Sequence, residues 1–228
     1  MNELDYIIKP ITLSNLEAVN QDCWQSRDAQ LKLLSRQEIL GFGAFIDGVC
    51  VGSLHCYKIE SIDIDDSLFP NYARNRLEDW PLGWPLLALK AKGIVFSRPI
   101  WGHACFHVGR LVNTHHSDAT YISKGIGTAL LEASIDWAKE HNYAAVVAHG
   151  GSKKVSEYNM IMGCLPYTTY ERYGFKVVAI EENGQKAPWW TTVGESWDDE
   201  KLQAQLKAAY VDNIDFSDIA ARLMVLNI

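Results

Sequence analysis

Long apolar runs are missing from this chain. The longest candidate, residues 84–96, is broken by Lys90 and Lys92, so nothing in the 228 residues matches the roughly 20 apolar residues that cross a bilayer as a helix. Cysteine is sparse: Cys23, Cys50, Cys56, Cys105 and Cys164 form an odd, dispersed set without a C-x-x-C pair. That pattern argues against a disulfide framework and for reduced thiols in a cytoplasm. The first residues, Met1-Asn2-Glu3-Leu4-Asp5, are acidic where a secretory signal is basic and then apolar. Clusters of arginine and lysine are absent too, and a net charge of −7 disfavours nonspecific binding to nucleic acid. Two familiar phosphate loops are also excluded. There is no Gly-Lys-Ser or Gly-Lys-Thr for a nucleoside-triphosphate loop, and Leu130 stands where a dinucleotide fingerprint needs its third glycine. The remainder is ordinary globular usage, 48% hydrophobic and 21% charged, in a chain long enough to bury one large core.

Against that background one stretch stands out, Lys124-Gly125-Ile126-Gly127-Thr128-Ala129-Leu130-Leu131. Two glycines just before an amphipathic helix let backbone N–H groups approach an anion closely, and the helix N-terminus adds unpaired donors and partial positive charge. The spacing therefore predicts a diphosphate cradle. Ile126, Leu130, Ala133 and Trp137, flanked by Leu131, Ile135 and Ala138, supply the apolar stripe of a core-facing helix. Asn142 suits a left-handed cap after it, and residues 144–148 form a short apolar strand. With a second strand expected over residues 104–112, the order strand, loop, helix, strand is a parallel β-α-β unit.

The second constellation is Tyr170-Glu171-Arg172-Tyr173-Gly174-Phe175, leading into Lys176-Val177-Val178. Together with the glycine loop some forty residues earlier, it resembles the GNAT superfamily of acyl-CoA-dependent N-acetyltransferases. That family joins an Arg/Gln-x-x-Gly-x-Gly/Ala loop to a helix tyrosine before a Gly-Phe turn. The resemblance spans residues 104–180 and extends to 5–60. It implies an α/β (α+β) fold with a mixed, strongly twisted sheet flanked by helices, whose fourth and fifth strands splay around the pantetheine arm. It also implies acetyl-CoA as cosubstrate, with the diphosphate on the backbone of Lys124, Gly125, Ile126, Gly127, Thr128 and Ala129 and the pantetheine on strand residues Phe106 and Val108. Ile122 takes the family's Arg/Gln position, and Lys124 offers a nearby cation instead.

The rest of the chain follows that order. Residues 6–11 read as a first strand, Ser14-Asn15-Leu16-Glu17 as a capping box opening a helix toward Trp24, and residues 28–40 as a second helix. Asp47-Gly48 between apolar runs, the second reaching Ile59, reads as a tight hairpin. Asn183-Gly184 and residues 189–193 suggest a closing hairpin, Ser196 caps a helix to about Tyr210, and residues 216–226 form another apolar element. We expect one domain over residues 1–228, with an insertion at 61–100 and a C-terminal extension at 195–228. That extension has two open roles, covering a sheet edge or forming a homodimer contact.

Acetyl transfer sets the chemistry to look for. The amine must lose its proton, the oxyanion needs a donor, and the departing thiolate benefits from an acid. Tyr170 is the expected acid, its proton delivery concerted with departure because a phenol of pKa about 10 is weaker than a thiol near 8.5. Packing alone is the alternative for an aromatic so placed. His107 on the coenzyme strand and His149 beyond the next strand are the candidate bases, set against ordinary hydrogen-bonded histidines. His103-x-Cys105-x-His107 invites a metal reading. On a regular strand, however, the two histidines stand about 13 Å apart and cannot share one ion, and no metal is expected. His115 and His116 are expected to be unliganded.

Residues 60–101 combine Glu60, Asp63, Asp65, Asp66, Glu78 and Asp79 with Tyr72, Trp80, Trp84 and Trp101. Acid beside aromatic faces suits an ammonium or guanidinium group, so a small cationic or amino-acid-like primary amine is the expected acceptor, with packing of the tryptophans on the domain as the alternative. The resemblance implies that the amine attacks acetyl-CoA directly in a ternary complex. The alternative is a noncatalytic acyl-CoA sensor or protein-interaction module on the same fold. Neither a membrane nor a nucleic-acid partner is expected.

Overall fold

The computed structural model describes residues 5–19, 27–60, 83–109, 118–155, 159, 163–180, 204 and 220–228. Its strands are β1 (Ile7–Pro10), β2 (Gly41–Ile46), β3 (Val49–Ile59), β4 (Ile100–Val108), β5 (Ala145–Gly150), β6 (Lys176–Ile180) and β7 (Arg222–Asn227). Four helices accompany them among the described residues: α1 (Arg27–Leu34), α2 (Gly83–Ala91), α3 (Ile126–Glu140) and α4 (Tyr167–Arg172). The sheet is mixed, in the order β1-β2-β3-β4-β5-β7-β6. Two compact units divide the chain, Met1–Val147 with Asn227–Ile228 and Ala148–Leu226.

In the first unit β1 to β4 form an antiparallel meander. Asp47 and Gly48, both at positive φ (49° and 81°), close the β2–β3 hairpin with Ile46 opposite Val49. That is the primed turn an Asp-Gly pair favours, because its twist matches the strands it joins. Helix α3 packs across β1, β2, β3 and β4 and buries Ile126, Leu130, Leu131, Ile135 and Ala138 as its stripe requires. Asn142, at φ 59°, follows it in the left-handed conformation.

A buried polar hub interrupts this apolar seam. The fully buried Ser134 hydroxyl of α3 accepts the Trp101 indole N–H at 2.9 Å and lies 2.9 Å from His103 Nε2 and 3.6 Å from Cys56 Sγ. Desolvation pushes the His103 pKa down to about 3, so the ring is neutral, and it drives the Cys56 thiol up. Trp101, grouped above with substrate-facing aromatics, is thus a core residue, 1% exposed, with its ring against Tyr143 at 5.1 Å.

In the second unit the chain leaves β5 through Gly151, whose N–H donates to Leu165 O at 2.9 Å and whose carbonyl accepts the Tyr167 N–H at 2.8 Å. This forms a parallel bridge to Pro166 at the start of α4. Gly174 turns the chain into β6, which pairs antiparallel with β7.

Several sequence expectations shift. β4 begins at Ile100 rather than 104, and its strand ends at Val108 because Gly109 turns away at φ 79°. Helix α1 stops at Leu34, short of residue 40, since the chain turns over Ser35 to Gln37 and buries Ile39 and Leu40 beyond the helix. The capping box does not form. Ser14 Oγ bonds the Thr12 hydroxyl, Asn15 Oδ1 accepts the Thr12 N–H at 2.9 Å, and only a 3-10 turn, Leu16–Ala18, follows. Residues 216–226 yield a strand, β7, in their described part. The path toward Trp24, residues 61–82 of the insertion, His115 and His116, the Asn183-Gly184 hairpin and the helix from Ser196 lie outside the described residues.

Candidate functional site

The cradle is built by three local devices. First, Gly109 ties the end of β4 to Asp118: Asp118 donates its N–H to Gly109 O at 2.8 Å, and a Cβ on Gly109 would meet Asp118 O at 2.4 Å. Asp118 then caps the 3-10 turn Ala119–Tyr121 through Oδ1, which accepts the Thr120 N–H at 2.8 Å, and these hydrogen bonds with Thr120 hold its carboxyl below the usual range. Second, Ser123 and Gly125 both take left-handed backbone, φ 60° and 82°, on either side of Lys124. Third, Gly52 on β3 leaves room for the helix. A Cβ there would sit 2.7 Å from Ile126 Cγ2 and 3.3 Å from His107 O, so the missing methyl admits the first residue of α3 against the end of β4.

The resulting helix start carries no side-chain cap among the described residues. Gly125 supplies no side-chain cap, the first turn contains no acidic residue, and the first amide with an intrahelical acceptor is Ala129, bonded to Gly125 O at 3.0 Å. The N–H groups of Gly125, Ile126, Gly127 and Thr128 therefore have no intrahelical acceptor. A helix start without its usual acidic or hydroxyl complement is suited to an anion from outside the chain. Ser123, Lys124 and Gly125 are exposed, and Gly127, Thr128 and Ala129 are half-buried.

Along β4, Phe106 lies opposite Leu54, His107 opposite Ser53 and Val108 opposite Gly52. Ala104 is an extra residue in the ladder, since His55 pairs with Cys105 and Cys56 with His103. This bulge separates His103, which faces Ser134 of α3, from Cys105 and His107, which touch each other at 2.7 Å between Sγ and Nε2. The three residues read as a metal motif are therefore split. Among the described residues no group of three or more potential ligands is assembled.

The second unit holds the remaining candidates. Tyr170, 1% exposed, stacks edge-on against Phe175 with centroids 5.0 Å apart, while Tyr167 lies beneath the Arg222 guanidinium at 4.1 Å. His149 keeps part of its surface exposed, yet desolvation of the ring pushes its pKa down to about 4. Asn159 is buried, donates to Ser152 O, and fills the space a Cβ on Gly151 would need.

Sequence reasoning did not single out Gly52, Ser134, Asn159 or the Cys105–His107 contact. Only the last left a trace, the same-face spacing of two residues on a strand. A cavity of about 400 Å³ opens at the other end of α3, beside Trp137, His141 and Tyr143, and shares no residue with the cradle.

No family model and no curated protein matches the sequence. Solved structures match it over almost its whole length. A mosquito arylalkylamine N-acetyltransferase like 5b superposes with a TM-score of 0.56 at 13% identity, covering 98% of this chain and 100% of that one. An agmatine N-acetyltransferase gives a TM-score of 0.52, also at 13% identity with 98% and 100% covered. The likeness is one of architecture: the chain has the GNAT fold.

Proposed function

From the GNAT fold as premise, we propose that this protein is an acyl-CoA-dependent N-acetyltransferase that moves an acetyl group from acetyl-CoA to a primary amine by direct attack in a ternary complex. The observation that carries the reading is the uncapped, acid-free start of α3 behind a left-handed Gly125, at the end of β4. The diphosphate is assigned to the amides of residues 124–129, with Lys124 as its cation. The pantetheine is assigned to the β4 backbone at Phe106 and Val108, on the edge away from β3 and toward β5. Acetyl-CoA supplies an activated thioester there.

Roles for the side chains follow from their chemistry. Tyr170 gives a proton to the departing thiolate, and the acceptor amine gives its proton to His107. His149, whose pKa is pushed down to about 4 by desolvation of the ring, is the other candidate acceptor. The acceptor class is a small cationic or amino-acid-like amine, supported by the acidic and aromatic composition of residues 60–84. Two architectural neighbours are N-acetyltransferases of an arylalkylamine and of agmatine, which accords with that class.

The test is thermal protection by acetyl-CoA followed by thiol release with agmatine, polyamines, arylalkylamines, amino acids and peptide N-termini. Protection that vanishes in the Gly125→Ala, Gly127→Ala double variant, together with thiol release by at least one amine, is the expected result. Undiminished protection in that variant removes the cradle. Protection without thiol release favours a binding module over an enzyme.

A further inference from the structure

We propose that Cys105 is a positioning residue for His107, its sulfur accepting the ring Nε2–H when the imidazole is protonated and thereby setting the pH range over which the base works. The inference rests on the reading of His107 as proton acceptor and concerns only what tunes it.

Both side chains leave the same face of β4, two residues apart, and meet at 2.7 Å between Sγ and Nε2. Neither reaches solvent appreciably, with Cys105 0% and His107 4% exposed. Across the ladder the buried groups on this face are Ser53, opposite His107, and His55, opposite Cys105. Helix α3 lies on the other face, where Gly52 and Cys56 meet Ile126 and Ser134. Among the described residues the polar surroundings of the pair on β3 are thus a hydroxyl and a second imidazole, and neither is a carboxylate.

The proton count explains why the thiol matters. A neutral imidazole has one N–H and one lone pair, whereas the imidazolium has two donors and no acceptor. When an ammonium N–H bond breaks, its electron pair stays on the substrate nitrogen and the proton forms a new N–H bond on His107. Nε2 is then a donor whichever nitrogen took the proton. In a buried setting that donor needs an acceptor, and the sulfur lone pair is already in place. Cys105 neither gains nor loses a proton. Without the sulfur, the charged ring keeps a buried N–H with a lost partner, so protonation becomes harder and the base weaker.

Labelled-histidine NMR titration of the full chain reads this directly. In Cys105→Ala the His107 midpoint should fall by about one pH unit or more relative to wild type. Cys105→Ser, which restores an acceptor, should return most of the shift. If alanine compromises folding by thermal melt, Cys105→Val fills the space with no hydrogen-bonding atom and carries the same expectation. The acidic limb of kcat/KM with whichever amine releases thiol should move in parallel. A His107 midpoint in Cys105→Ala equal to that of wild type overturns the inference. Undiminished turnover in His107→Ala is a different failure, because it removes the base reading itself while the NMR shift can still be observed.

Discussion

Gly125 and Gly127 serve the cradle in different ways. Gly125 is at φ 82°, where an alanine costs about 1 kcal/mol of backbone strain, whereas Gly127 lies inside α3 and is not among the positive-φ residues. Within a helix glycine is itself unfavourable by up to about 1 kcal/mol against alanine, so the free protein gains nothing from it there. Gly127→Ala should therefore leave the melting temperature of the free protein unchanged or raised, while cutting the extra protection given by acetyl-CoA. Equal protection in both proteins contradicts the assignment. Ser134 offers a stability test instead. Replacing it with alanine strands the Trp101 N–H and a His103 nitrogen in the core, an expected loss of about 1–3 kcal/mol in denaturant unfolding. Tyr170→Phe keeps the ring packed on Phe175 and should lower kcat with little change in KM, whereas intact turnover discards the acid role. At this scale the sequence was most readable where one residue's own backbone decides the outcome. Asp47, Gly48, Gly125 and Asn142 all take the positive φ that their residue types favour. Ser134 and Cys105 were opaque because their partners come from tertiary pairing or from side-chain contact.

Gly52 links element to element. Its missing Cβ lets Ile126 start α3 against β3 and the His107 carbonyl, so Gly52→Ala should push the helix start outward. Weaker acetyl-CoA protection at nearly unchanged secondary structure, read by thermal shift and circular dichroism, is the expected outcome, and unaltered protection denies the link. The β-α-β order, the β2–β3 hairpin and the α4–Gly174–β6 passage were all legible, because apolar periodicity and turn chemistry agree there. Element ends were less so. The Ser14–Glu17 box lost to a local competitor, as Asn15 and Ser14 turned to Thr12 instead of the helix they were expected to start. Strict alternation along His103, Cys105 and His107 also failed at one point. A bulge at Ala104 moves His103 to the α3 side, and an inserted ladder residue leaves no periodic signature of its own.

For the molecule as a whole, burial of titratable groups defines a pH window. His103 near 3 and His149 near 4 bind fewer protons folded than unfolded, where histidine titrates at 6.5. Stability should therefore decline as pH falls below 6.5 toward those values. Burial raises Cys50 to about 11 from 9.0 and Tyr143 to about 12 from 10.0, so the folded state retains protons the unfolded chain gives up. Stability should decline again as pH rises above 9.0. Melting temperatures across this range should form a plateau with two shoulders, and His103→Gln should flatten the acid shoulder if that imidazole causes it. The division into two compact units was not visible in the sequence, because no proline-rich or glycine-rich linker marks it. The hydrogen bond from Asp118 to Gly109 has a further consequence. It is a shortcut in the chain: the end of β4 and the residue that caps the turn before α3 are joined directly across that bond. A variant with the sequence between Gly109 and Asp118 shortened should therefore keep the turn at Gly125 and still be protected by coenzyme, and lost protection contradicts that.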